Sequence, residues 1–406
     1  MRISGIKIAG IVFLVASLAV LIVAYLGTAP DVRFAADQEL LTSGDLTPVN
    51  DETSIPAIKR TNEQSRPFFV SGWLPYWAKD EGAASLNDRI GLFTEINPFA
   101  YGVNAEGVLV DKMHIDAKPW PQLFADAEGQ NVHIIPTILW GDEKAMHTIF
   151  SDPTSANRHI DAIIAMLDSH GFAGVDIDYE GKDIADRDAF SAFLRMLREN
   201  LSADAVKTLS CTVEARTEDD PPQGFTGKRA MSFANDFSVL NEACDTVRVM
   251  AYDQVFQMHR ADTFTTSDPV PNAPNADLRW VEEVARYALR YVSPDKLILG
   301  IPTYGWEFRV EKVSDGYRYT RVRSVSYPSA MEMARSAGVT PTRTEGGELS
   351  FTYTSSDGLH IVTIDDAESV RNSIDIAKKL NLRGVSLFKI DGLTDPTLFD
   401  ILSKIR

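Results

Sequence analysis

From Phe68 to Asp391, the 406-residue chain alternates eight short β-rich runs with amphipathic helical stretches, and this rhythm restricts the fold more than any other feature. The runs are Phe68–Leu74, Glu95–Val103, Val132–Leu139, Ala173–Glu180, Thr208–Glu214, Thr246–Asp253, Lys296–Tyr304 and Gly384–Asp391. Helical spacing recurs between many of them, as in Thr154–His170, Arg187–Leu201, Ala276–Tyr291 and Ala367–Leu380. Strands joined by helical crossovers predict an α/β fold, and eight repeats point to a (β/α)8 TIM barrel over residues 67–406. A doubly wound open sheet shares the local pattern, but no Gly-rich phosphate loop follows the first run to support its nucleotide-binding form. Trp306–Ile361 breaks the rhythm, with turn signals at Ser314-Asp315-Gly316 and Glu345-Gly346-Gly347 and strand-like alternation in Tyr317–Val322 and Leu349–Tyr353. It reads as a small α+β insertion (306–361) between the seventh and eighth strands, at the barrel end where active sites form.

The fourth run reads Gly174-Val175-Asp176-Ile177-Asp178-Tyr179-Glu180. Alternate residues of a strand share a face, so Asp176, Asp178 and Glu180 project one way and Val175, Ile177 and Tyr179 the other. In a barrel the apolar set meets the helices and the acids face the interior. Each ionised group buried alone costs several kcal/mol, so protons must be shared or partners supplied. Successive acids are about 6.6 Å apart along the backbone. Like charges that close push their pKa values apart, leaving one group protonated near neutrality, as a general acid requires. An edge strand with its acidic face in water has the same alternation. The barrel reading is favoured because the run ends at Glu180-Gly181-Lys182, where a strand would leave the C-terminal face, and because its other side is apolar. The same carboxylates would also suit a divalent metal, but no His lies in the strand, and neither a metal nor a cofactor is expected.

Phe172-Ala173-Gly174-Val175-Asp176-Ile177-Asp178-Tyr179-Glu180 resembles the D-G-x-D-x-D-x-E signature of glycoside hydrolase family 18, the chitinase-like (β/α)8 barrels. Gly72-Trp73-Leu74-Pro75-Tyr76-Trp77, Met250-Ala251-Tyr252-Asp253 and Leu299-Gly300-Ile301-Pro302-Thr303-Tyr304-Gly305 resemble that family's first, sixth and seventh strands. Asp365-Asp366, Ala377-Lys378-Lys379-Leu380 and Gly384-Val385-Ser386-Leu387-Phe388 resemble its closing segment. Ile96-Asn97-Pro98-Phe99-Ala100-Tyr101 is similar to the bacterial cell-wall and spore-germination branch. The resemblance implies a glycosidase acting on N-acetylglucosamine-containing polysaccharide or oligosaccharide, with Glu180 as general acid and base. Asp178 would orient the substrate's acetamido group, which attacks the anomeric carbon in place of a protein nucleophile, a known exception to the two-carboxylate scheme. Asp176 would share a proton with Asp178, Tyr252 would hydrogen-bond the acetamide, and Asp253 would support that pocket beside Met250. Trp73, Tyr76 and Trp77 would form an aromatic floor, although such residues serve equally well as core. Two positions depart from the family pattern: Ala173 replaces the first Asp of the signature, and Phe388 stands where chitinases place Trp, which turns the expectation from bulk chitin toward peptidoglycan or a surface polysaccharide. The contrasting expectation is a non-catalytic, lectin-like relative; such proteins replace the acidic Glu, which is present here as Glu180.

The N-terminus predicts a membrane device. Ile8–Leu26 is uncharged and almost wholly apolar, and about 19 residues at 1.5 Å each give about 28 Å, close to a bilayer's hydrocarbon core. Arg2 and Lys7 precede the run, which places the bulk of the chain on the extracytoplasmic side. A cleaved signal peptide is the rival, with a shorter apolar core and a cut at Gly27-Thr28-Ala29 that Pro30 disfavours. Residues 1–27 are thus expected to anchor, and 28–66 to tether, the folded part. A formal net charge of −17 repels phosphate and argues against a nucleic-acid partner. Two cysteines in so long a chain make no disulfide framework or Cys-rich zinc site, and Cys211 and Cys244 read as small core residues.

Overall fold

The computed structural model describes residues 66–202, 207–225 and 227–405. The expected anchor, and the expected tether up to residue 65, lie outside the described residues. Among the described residues no helix is long and apolar enough to cross a membrane.

The strands, in chain order, are β1 (Phe69–Leu74), β2 (Glu95–Pro98), β3 (Tyr101–Val103), β4 (Leu109–Asp111), β5 (His133–Ile134), β6 (Thr137–Trp140), β7 (Gly174–Tyr179), β8 (Thr208–Glu214), β9 (Thr246–Met250), β10 (Thr263–Thr266), β11 (Leu297–Pro302), β12 (Tyr304–Val313), β13 (Gly316–Ser326), β14 (Thr342–Arg343), β15 (Leu349–Ser355), β16 (Gly358–Ile364) and β17 (Gly384–Phe388). Two runs expected to be continuous are each broken once. β2 gives way to β3 at Phe99–Ala100, and β5 to β6 at Ile135–Pro136. Pro98 and Pro136 supply no N–H to a ladder, so the pairing lapses beside each.

With β2–β3 and β5–β6 counted as single staves, eight parallel staves close a ring among the described residues. β1 pairs β2 and β17, β17 pairs β11, and β11 pairs β9. β9 pairs β8, β8 pairs β7, and β7 pairs β6. β5 and β6 then lie against β2 and β3. The strands' outward face is apolar because helices cover it. Val175, Ile177 and Tyr179 of β7 are all buried, Tyr179 against Phe190 and Phe193 of the helix Arg187–Leu201. Part of the acidic excess serves as helix caps: Asp142, Asp152, Asp236, Asp277 and Asp366 each accept backbone N–H bonds at a helix start.

The segment between β11 and β17 forms an antiparallel sheet with the helix Tyr327–Ala337 on it. It begins at Tyr304 rather than Trp306, and its strand order is β10-β13-β12-β16-β15-β14. Its edge strand β10 comes from the loop after β9, pairing Thr263–Thr266 with Tyr317–Thr320.

Cys211 and Cys244 are buried, as expected, but they are joined by a disulfide. This corrects the reading of two separate core thiols. Cys211 points out of β8 toward the helix Phe237–Ala243, and Cys244 ends that helix, which brings their Cα atoms to 6.1 Å. The bridge closes a segment of sequence separation 33, for which loop-closure entropy gives about 3–4 kcal/mol. Reduction under native conditions should lower the melting temperature by several degrees, and Cys211→Ser/Cys244→Ser should melt at the reduced protein's temperature; identical melting of oxidised and reduced protein would contradict this.

Candidate active site

The barrel interior holds a column of charge. Near its floor Arg248 of β9, fully buried, donates to Glu95 and to the hydroxyls of Ser210 (2.7 Å), Ser71 (2.6 Å) and Ser386 (3.3 Å). Its Nε lies 3.6 Å from Asp176. Asp176, also fully buried, accepts from the indole N–H of Trp73 (3.1 Å), Thr137 Oγ1 (2.9 Å) and Thr212 Oγ1 (2.9 Å). Four different staves therefore converge on one carboxylate. A charge this deep needs such an enclosure of donors.

Asp178 comes next up the strand, and its Oδ1 is buried without a hydrogen-bond partner among the described residues. Burial, then the charges of Glu180, Asp176 and Glu214, raise its pKa well above the carboxylate range, with Lys182 opposing. Glu180 stands half-buried where β7 ends. Burial first, and then Glu214, push its pKa to about 7, against the pull of Lys182 and Arg260. The neighbouring Glu214, at the end of β8, goes the other way. Burial works against its ionisation, yet the Lys182 charge, the Gly181 N–H (3.0 Å) and the Asn235 amide (2.7 Å) outweigh it and hold the pKa below the ordinary value. One acid is thus kept as a proton donor near neutrality beside another kept as an anion.

Lys182 is the cation that balances them. It is fully buried, donates to the Tyr179 carbonyl and lies 4.5 Å from the centroid of the Phe190 ring. Gly181, at φ +72, turns the chain so that Lys182 tucks beneath the strand end.

The aromatic candidates divide. Tyr252 is buried and stacks on Phe388 with centroids 5.4 Å apart and planes at 10°. Its hydroxyl lies in the field of Asp178, Glu180 and Asp253, and burial followed by these charges raises its pKa well above the ordinary value. Gly300 keeps the place open, because a Cβ there would come within 3.1 Å of the Tyr252 ring and 2.7 Å of the Val249 carbonyl. Met250, buried at the end of β9, lies in register with Glu214 and Gly300. Asp253 takes a left-handed conformation, φ +56, and accepts from Tyr304 Oη (2.6 Å) and Trp306 Nε1 (2.8 Å), both on β12. Burial raises its pKa, and those two donors work against the rise.

Trp73 has no exposed surface on which a sugar could lie; it contacts Phe99 and Phe388 and spends its N–H on Asp176. Tyr76 is half-buried, and Trp77, 52% exposed, is the available ring of that run. Ala173, where the signature has Asp, sits exposed at the opposite end of β7, so it takes no part in the network around Asp176.

A closed parallel barrel with a protonatable acid at a strand exit, stacked over further carboxylates and faced by a tyrosine, has the design of a barrel glycosidase. Residues 75–392 match the family model described as Glycosyl hydrolases family 18, and the chain belongs to that family. The cortical fragment-lytic enzyme of Bacillus subtilis (strain 168) is 25% identical over 318 residues, covering 76% of this chain and 67% of that enzyme. The crystal structure of the Bacillus cereus spore cortex-lytic enzyme SleL has a TM-score of 0.66 at 21% identity, covering 83% of this chain and 74% of that one. The chitinase from Chromobacterium violaceum ATCC 12472 has a TM-score of 0.67 at 20% identity, covering 83% and 98%. These structural likenesses speak to the fold, while the family membership makes the chain a glycosidase that hydrolyses glycans and agrees with the spore-germination branch read from the sequence.

Two outcomes follow from the charges. Lys182 lowers the pKa of Glu180, so Lys182→Met should move the alkaline limb of kcat/KM upward by about one pH unit or more; an unmoved limb would separate Lys182 from the acid. Asp178 has a raised pKa when folded, so its ionisation opposes folding increasingly as pH rises through and above the ordinary carboxylate range. Asp178→Asn should therefore melt higher than the parent at pH 8, with the gain shrinking through about pH 4 and gone below about pH 3, where the parent's carboxyl is protonated in both states.

Proposed function

We propose that this glycosidase cleaves β-1,4-linked, N-acetylglucosamine-containing glycans with retention, the substrate's own acetamido oxygen attacking the anomeric carbon. The observation that carries the reading is Glu180, held near a pKa of 7 at the mouth of the barrel directly above a buried Asp178 with an unpartnered oxygen. In this scheme Glu180 protonates the glycosidic oxygen and its carboxylate then takes a proton from the attacking water. Asp178 accepts the acetamide N–H and stabilises the positive oxazolinium, an interaction strengthened in a site of low dielectric. Tyr252 hydrogen-bonds the acetamide, and Phe388 and Met250 form the apolar base. Asp176, enclosed by its donors, supports Asp178, and Asp253 fixes the wall. Tyr76 and Trp77 border the cleft. No protein nucleophile is required.

Four features support a cell-surface setting and a peptidoglycan-like glycan rather than bulk chitin. Ile8–Leu26 has the length and apolarity of a membrane anchor. The Cys211–Cys244 disulfide suits an oxidising, extracytoplasmic compartment. Relatives are named for lysis of spore cortex and its fragments, and Phe388 gives a smaller platform than the Trp of chitinases.

The full-length chain, incubated with N-acetylated oligosaccharides, should release products whose anomeric configuration by NMR is that of the substrate. Glu180→Gln should lower kcat by about 10²–10⁴-fold, and glycans lacking the 2-acetamido group should remain intact. Inversion, or cleavage of those glycans, would sink the assisted mechanism; sugar binding without turnover would make the chain a lectin.

A further inference from the structure

A cavity of about 500 Å³ lies between the residues that follow β8 and those around the helix Gln254–His259. Two arginines line it. Arg216 is 8% exposed, its guanidinium packed against the rings of Phe237 (4.6 Å), Phe233 (5.2 Å) and Tyr287 (5.4 Å). Its Nε and Nη1 are buried with no hydrogen-bond partner among the described residues. Arg260 ends the helix, reaches Ser232 Oγ only at 3.4 Å, and its buried Nε is likewise without a partner among the described residues. The charge of Arg260 acts on Glu180 and Glu214, so the cavity adjoins the acid centre.

The carboxylates of Glu214 and Glu180 act on Arg260, and that of Asp219 on Arg216, yet guanidinium nitrogens of both lack acceptors among the described residues. Leaving them so out of water is costly, and the natural remedy for that cost is a ligand that brings acceptors. We propose that this cavity is a subsite for a carboxylate carried by a sugar of the glycan next to the bond under attack, with Arg216 and Arg260 as its donors. The proposal rests on the reading of Glu180 as the acid of a glycan hydrolase. Planar guanidinium forks match the two oxygens of a carboxylate. The exposed Glu218 and Glu283 at the cavity's edge oppose a dianion such as phosphate more than a monoanion. Phe233 and Trp280 offer apolar wall for the carbon skeleton that bears the acid. A 3-O-lactyl ether on an N-acetylated sugar and a uronic acid would each present this group.

The test uses the full-length Glu180→Gln chain and isothermal titration with matched N-acetylated tetrasaccharides: neutral, 3-O-lactyl with the free acid, 3-O-lactyl as its methylamide, and one containing a uronic acid. The free acid of the lactyl or of the uronic form should bind about tenfold more tightly than its neutral counterpart, with the preference falling as salt rises. The arm that shows the preference identifies the source of the carboxylate. Adding Arg216→Gln should bring the ratio of acid to neutral affinity close to one. Arg260→Gln carries the same expectation where Arg216→Gln does not fold, as judged by its melting curve. Equal affinity for acid and neutral forms, with sugar binding otherwise intact, overturns the subsite and leaves the hydrolase reading standing. Absence of binding to every tetrasaccharide, together with no turnover by the unmodified chain, overturns both.

Discussion

A carboxylate at the axis of a closed barrel cannot stand there as a bare charge, and the enclosure of Asp176 is the arrangement on which the rest of the molecule turns. Trp73, Thr137 and Thr212 come from three staves other than its own, and Arg248 from a fourth. Hydrogen bonds from so many strands can be satisfied together only if the ring is closed and in register. The acids above it inherit the geometry. With the deepest carboxylate compensated, its two neighbours on the same face are left to compete for protons, and their raised pKa values follow from burial and mutual repulsion.

How far the sequence could be read follows from the range of each interaction. The period-2 alternation of Asp176, Asp178 and Glu180 is local, so which side of the strand they occupy was legible, as were the strand–helix rhythm and the irregular stretch before the last stave. Arg248 was not, because an arginine in a β-rich run ordinarily reads as a solvent-facing position, and only the hydroxyls of Ser71, Ser210 and Ser386 make an interior place for it. Lys182 lies past a glycine with positive φ, where strand alternation no longer says which way a side chain turns. The disulfide and the two-part second and third staves depend on contacts or backbone breaks that no hydrophobic period records. Trp73 shows the converse: its place in an aromatic run suggested a sugar platform, but its indole nitrogen is what the interior uses.

The acid centre and the arginine cavity divide electrostatic labour. On one side Lys182 is hemmed in by carboxylates and fixes which of them stays charged. On the other, Arg260 faces both the acids and the cavity, so its field is shared between them. An anion bound beside Arg260 would weaken its hold on Glu180 and favour the protonated form, the state a general acid needs. Occupancy of the proposed subsite would thereby be linked to the protonation of Glu180 through a single guanidinium.

The edge strand β10 has an architectural consequence. It is drawn from the loop after β9, yet it completes a sheet whose other strands lie between β11 and β17. The same loop supplies Asn275, which accepts from the Asp253 N–H and donates to the Tyr304 carbonyl and to Asp365. The lobe is therefore stitched to the barrel at two separate places in the chain. Trimming it to obtain a minimal barrel would unravel the stitch, deprive Asp253 of both its side-chain donors, and leave that carboxylate without its mooring.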